Sequence, residues 1–250
     1  MNNAFIIHVG ANLKDNRGLS PIFKDNTYEY IPSPLETSFN TSKHHNHKHY
    51  SKMNCQNLNL RGMHMSSFVD DGTGHVDPEF YTFTYGESRN QYISILSKLK
   101  KDDLLLFSIT LQKYDSKKEN FVLNGEPNNY IFGYFLISDI DEANGPIDES
   151  KLLNFQTTCN EHIIYKKQHI QTPDKKKVLL IRGQKNESAI FKKPLKYTDN
   201  EALLPKFKKN WGIEVTSKNL ELYKCLNYSK VLKDILEQAE NNRWVEWIIP

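Results

Sequence analysis

Hydrophobic residues recur along the chain in two spacings, and the two spacings predict different elements. Continuous apolar runs mark buried strands: Ala4-Phe-Ile-Ile-His-Val-Gly10, closed by glycine; Leu104-Leu-Leu-Phe-Ser-Ile-Thr-Leu111, entered from the polar turn 100–103; Tyr130-Ile-Phe-Gly-Tyr-Phe-Leu-Ile137; and Lys177-Val-Leu-Leu-Ile-Arg-Gly183. Thr27-Tyr-Glu-Tyr-Ile-Pro32 alternates and predicts a further strand closed by Pro32 and Pro34. Apolar positions 92, 93, 95, 96 and 99 predict a helix over 91–99. Val231, Leu232, Ile235, Leu236 and Ala239 form a second helical stripe behind the N-cap candidate Ser229. Beyond it, Trp244 and Trp247 are expected to pin the terminus to the core. The polar connection 113–129 contains Asn124-Gly125, so the strands on either side of it are expected to form a long hairpin.

Between these elements, residues 36–60 are rich in Ser, Asn and His and lack an apolar period, as in a long surface loop or insertion. The expected architecture is α+β: a bent or barrel-like mixed sheet with peripheral helices and a C-terminal helix. The division expected is an α+β unit over 1–200, with the polar loop at 36–60, and a helical extension over 201–250 packed on it.

Composition adds a core to this pattern. Thirteen Tyr, thirteen Phe and three Trp place much of the apolar area in rings, each able to bury about 150–250 Å². Cys55, Cys159 and Cys225 are odd in number and widely spaced, which argues against a disulfide framework or zinc knuckle and suits a reducing cytoplasm. The start of the chain has no basic segment before its short apolar run, so no signal peptide is expected. No stretch approaches the roughly 20 apolar residues that span a bilayer, and a cytoplasmic location is expected.

Charge is uneven. Residues 161–209 hold 13 Lys/Arg against 5 Asp/Glu, whereas residues 1–160 hold 15 against 19. A concentrated basic segment favours phosphate-bearing partners, although a lysine-rich solvated surface has the same composition.

The densest chemistry lies in Gly74-His75-Val76-Asp77-Pro78-Glu79-Phe80, followed by Tyr81-Thr-Phe-Thr-Tyr85-Gly86. In an extended chain His75, Asp77 and Glu79 share one face, and Pro78 keeps Asp77 out of a helix. One imidazole and two carboxylates so placed can supply general acid/base groups or bind a divalent metal, the one cofactor this pattern suggests. They can equally satisfy one another and nearby loop amides. His162 and His169, seven apart, suit two turns of one helix face and could complete an acid/base set; they could also simply be exposed. Arg182-Gly183-Gln184-Lys185 at a strand end could present cations and amides to a phosphate, without matching a known phosphate-loop pattern. Arg17 could clamp an anion bidentately. Ser20 is a substrate-binding candidate whose flanks lack a nucleophile elbow. The tract His44, His45, His47 and His49 can chelate metal adventitiously but lies in the polar loop, and His64 is a lesser candidate.

Several of these segments together resemble one family, the nucleotide modification associated domains of the third type. They are the opening strand, Asn16-Arg-Gly-Leu-Ser-Pro-Ile-Phe23, Tyr28-Glu-Tyr-Ile-Pro32, Gly74–Phe80 through Gly86, Asp103–Phe107, Tyr130–Phe135, and Ile181-Arg-Gly183 leading to Ser188. The resemblance spans most of residues 4–200, with His-x-Asp-Pro-Glu its most specific part; the His tract and the C-terminal helix fall outside it. It implies association with systems that modify bases in DNA, often of phages or their hosts, and so a nucleotide or nucleic-acid partner with DNA favoured. It implies no particular reaction. The strand pattern at 103–107 and 130–135 is also similar to that of small barrels of the PUA and EVE type, an analogy of fold alone.

Two functions remain open from sequence. One is an enzyme using His75, Asp77 and Glu79, with Arg17 and Arg182 on phosphate and His162 or His169 completing the set. The other is a reader in which Tyr81, Phe83 or Tyr85 stacks on a base and the basic segment tracks phosphates.

Overall fold

Two long strands, β6 (Leu104–Lys117) and β7 (Asn120–Ala143), pair antiparallel and form the spine of the molecule. The computed structural model describes residues 2–10, 19–34, 49–69, 72–75, 77–117, 120–143, 160, 162, 177–199, 202–215 and 222–243. On one side of the spine, β1 (Ala4–His8) and β2 (Ser20–Ile22) both run parallel to β6. On the other, β7 pairs antiparallel with β8 (Val178–Gly183) and β9 (Ala189–Lys196). The main path is β12 (Ile213–Val215), β13 (Leu222–Cys225), β1, β6, β7, β8, β5 (Thr84–Glu87). Among the described residues this mixed sheet has nine strands and is open, and β10 (Thr198–Asp199) and β11 (Ala202–Leu203) form a separate pair. The α+β class expected from sequence is what the structure has; a barrel is not, because β12 and β5 end the path without pairing with each other.

Both faces of the central strands are covered, which is why their sequences are apolar throughout rather than alternating. Phe5, Ile7, Leu105 and Phe107 point into one core with Phe80, Phe132 and Phe135 and with α1 (Asn90–Leu96). Their neighbours Ala4, Ile6, Leu104 and Leu106 point into a second core. That core is covered by α2 (Pro205–Trp211) and α3 (Tyr228–Asn242), through Phe207, Trp211, Val231, Ile235 and Ala239. The Trp211 indole N–H donates to Asp234 at 2.9 Å and ties the two helices together. Pro205 opens α2, and Gly212 closes it at φ +60, the left-handed position glycine occupies without penalty.

Three local expectations differ from the structure. Residues 27–32 form only the isolated bridge Ile22↔Tyr28 before the two-residue β3 (Ser33–Pro34), which pairs with β4 (Gly74–His75). The alternation there reflects Tyr28 and Tyr30 packing on Phe132 while Glu29 turns to the Gln56 and Asn57 N–H groups, without a ladder. The expected long hairpin is present as β6 and β7, but Asn124-Gly125 is not its turn: Asn124 already pairs with Lys113, and Gly125, at φ +82, lies where the register shifts between Leu111 and Lys113. The N-cap of α3 is Asn227 rather than Ser229. Within the polar segment, residues 49–60 contain two 3-10 turns with Tyr50, Met53 and Leu60 buried. Trp244 and Trp247 lie outside the described residues. No described helix is long and apolar enough to cross a membrane.

A candidate functional site at the His75–Asp77 segment

The segment 74–87 leaves β4, reverses over residues 80–83 and returns as β5. Its anchor is Phe80, whose ring packs on Phe107, Phe132 and Phe135. A Cβ on Gly133 would stand 2.7 Å from the Phe80 ring, so the glycine is what admits it.

Asp77 follows β4 directly and is 8% exposed. Its peptide bond to Pro78 is cis. Its backbone is held by the Tyr30 hydroxyl, which donates to the Asp77 carbonyl at 3.3 Å. Its carboxylate accepts from the Gly86 N–H at 3.1 and 3.2 Å and from the Asn160 side-chain amide at 2.6 Å. The same amide donates to the Thr84 carbonyl at 3.2 Å, and Asn160 Oδ1 accepts from the His162 N–H at 3.1 Å. His162 is thereby laid over β5. Its Nε2 stands 3.4 Å from Asp77 Oδ2, and its ring lies 5.0 Å from that of His75, centroid to centroid. A Cβ on Gly86 would meet His162 Cβ at 2.4 Å, so no residue with a side chain leaves that imidazole in place. Ligand-capable atoms of His75, Asp77 and His162 lie within 4.8 Å of one another, with Asp77 and His162 buried and His75 partly exposed. Two imidazoles and a carboxylate from two distant stretches of chain can relay a proton or hold a metal ion.

Glu79 is not part of this cluster. It pairs through its backbone with Thr84, and its carboxylate turns back onto its own loop, accepting from the Tyr81 N–H and from the N–H and hydroxyl of Thr82. The period-two expectation fails there because the chain reverses after Pro78. Burial raises the Glu79 carboxyl above its ordinary range, and the loop hydrogen bonds oppose that rise.

The other predicted residues are dispersed. Tyr81, on the tip of the same loop, is 64% exposed. Tyr85 is buried, and its hydroxyl donates to Glu87 at 2.7 Å; Glu87 in turn holds Arg89 at 2.9 and 2.7 Å. Ser20 is buried, and its Oγ accepts from the Ile31 N–H at 3.1 Å, bracing the chain before β3. Arg182 sits on β8 at the register position opposite Thr84. Lys185 is exposed in the turn after β8. Arg17, His169, His44, His45 and His47 lie outside the described residues. His49 binds Ser51 across its own turn, and His64 bridges to Asn54. Asn160 was missed by sequence reasoning; its only signal was its place two residues before a histidine already singled out. A separate cleft of about 530 Å³ between Phe23, Lys24, Lys113 and Tyr114 is lined by none of the predicted site residues.

The fold and site define an α+β protein whose open mixed sheet carries a histidine–carboxylate centre beside one end strand. Residues 3–245 match the family described as nucleotide modification associated domain 3, and the chain belongs to that family. The match includes α2, α3 and the strands between them, so the C-terminal part belongs to the family domain and does not stand outside it as the resemblance suggested. A role connected to nucleotide modification follows from this membership. Searches among curated proteins and among solved structures returned no significant match.

Proposed function

We propose that this protein acts on a nucleotide or nucleic-acid base in DNA base modification, with His75, Asp77 and His162 as its reaction centre. The observation that carries this reading is the convergence itself: a buried aspartate, fixed by a backbone N–H and an asparagine amide, beside two histidines from separate parts of the chain. Imidazole is the side chain suited to exchanging protons at neutral pH. Asp77 orients His162, and His75, the least buried of the three residues, exchanges the proton with substrate on this reading. Glu79 acts on this reading by holding the loop that presents Tyr81. Arg182, and Arg17 and Lys185 with it, would supply cations to phosphate. Because a base in duplex DNA must be flipped out before it is reached, a free nucleotide or single strand is the simpler substrate.

A second reading, a reader module without turnover, is favoured by one observation: the Tyr81 ring is exposed on the loop beside the centre. Stacking on a base would contribute roughly 1–3 kcal/mol.

Thermal-shift screening against nucleotides and oligonucleotides separates these readings. A ligand at 100 times its dissociation constant adds about 2.7 kcal/mol to stability. The enzyme reading expects His75→Ala to keep its melting temperature and lose turnover, and Tyr81→Ala to weaken binding while retaining turnover. A His75→Ala protein that melts far lower yet still turns over would show a structural histidine and end this reading.

A further inference from the structure

We infer that His75, Asp77 and His162 form a three-ligand site for a divalent transition metal, with coordination positions left open for water or substrate. The inference rests on the reading of this cluster as the reaction centre and adds the cofactor class.

The spacing of the donor atoms suits a metal ion. His162 Nε2 and Asp77 Oδ2 are 3.4 Å apart. That is long for a charge-assisted hydrogen bond, which runs about 2.7–2.9 Å. It matches the separation of two ligands on one tetrahedral ion, about 3.3 Å for bonds of 2.0–2.1 Å. The third donor, on His75, lies within 4.8 Å of both, a gap that a rotation of the imidazole would close.

Asp77 is also held from outside the cluster. Its Oδ1 accepts the Asn160 amide at 2.6 Å, the Gly86 N–H lies 3.1 Å from Oδ1 and 3.2 Å from Oδ2, and Oδ2 faces His162. Carboxylate ligands of metal ions are commonly oriented by such outer donors. Asn160 also fixes the backbone of His162, so a single residue orients two of the three ligands.

Donor chemistry sets the class of ion. Two imidazole nitrogens and one carboxylate oxygen suit zinc, iron, manganese or cobalt rather than calcium or magnesium, which take oxygen ligands. Among the described residues three protein ligands meet here, the number that catalytic rather than structural sites use.

The test uses the full chain, stripped by chelation, with Co2+ titrated by its visible absorption bands and Zn2+ by competition with an indicator dye. One tight equivalent is expected. His75→Ala and His162→Ala should each weaken it on the order of 100-fold or more, and Asn160→Ala by about 10–100-fold, the usual range for an outer-shell partner. Replacing His44, His45 and His47 with Gln should leave that equivalent in place. Wild-type affinity in the His75→Ala and His162→Ala proteins, or loss of the metal with the His44–His47 replacements alone, would overturn the site. Should His162→Ala fail to fold, His75→Ala decides, since its side chain is only partly buried. Nucleotide thermal shifts measured in parallel on metal-free protein keep the two ideas apart: a shift without metal uptake removes the metal and leaves the functional reading standing.

Discussion

Glu29 shows what one buried residue costs this fold. It is fully buried; Oε2 accepts from the Gln56 and Asn57 N–H groups at 2.9 and 2.7 Å, and Oε1 finds no partner among the described residues. Burial pushes its carboxyl up to about 7, against the two backbone hydrogen bonds. A folded-state value above the unfolded one of 4.5 means the folded protein binds the proton more tightly. That contribution is full below about pH 4.5 and is lost as pH rises to 7, roughly 3 kcal/mol in all. Glu29→Gln should therefore gain stability relative to wild type between pH 4.5 and 7.5, by up to that amount in urea unfolding. An unchanged difference between the two proteins across that range would mean Glu29 does not titrate there. Legibility at this scale was local. His75 and Asp77 could be paired because they are two residues apart. His162 was noticed for its spacing from His169, yet what gives it a place is Asn160, Gly86 and Asp77, the last two more than 70 residues away. Glu79 looked equivalent to Asp77 in one dimension and is not, because the chain turns between them.

The elements were legible wherever both faces of a strand are buried. The runs at 4–10, 104–111, 130–137 and 177–183 all became sheet, and the stripe at 231–239 became α3. Phe107 is the clearest test of the shared core, being fully buried against Phe80, Tyr85, Phe132 and Phe135. Phe107→Ala should cost about 3–5 kcal/mol in chemical unfolding. Because Phe80 anchors the 80–83 loop on that ring, the variant should also loosen ligand binding; a cost under 1 kcal/mol would mean the core readily collapses around the gap. Elements failed where the signal was a dipeptide or a short alternation. Asn-Gly at 124–125 serves a register shift instead of a turn, and Tyr28–Tyr30 is buried without a ladder.

At the scale of the whole molecule, charge is the feature that distinguishes ligands. The described lysines of the basic segment include Lys192, Lys193 and Lys196 on β9 and Lys206, Lys208 and Lys209 on α2. If they track a polymer backbone, oligonucleotide affinity should fall linearly on a log–log plot against salt, with a slope near 0.9 per phosphate contacted on duplex. Lys206→Glu, Lys208→Glu and Lys209→Glu together should flatten that slope while leaving mononucleotide thermal shifts intact. A slope equal in wild type and triple variant would remove α2 from any nucleic-acid interface.

The sequence by itself determined the class of fold and the family, because apolar runs, helical stripes and the His-x-Asp-Pro-Glu element are properties of neighbours along the chain. Tertiary structure alone decided that the sheet stays open, that the strands after α2 enter it beside β1, and that Asn160 and His162 come to lie against Asp77 and His75. These depend on which distant segments the cores bring together. Hydrophobic periodicity says that a surface must be covered, and only packing settles what covers it.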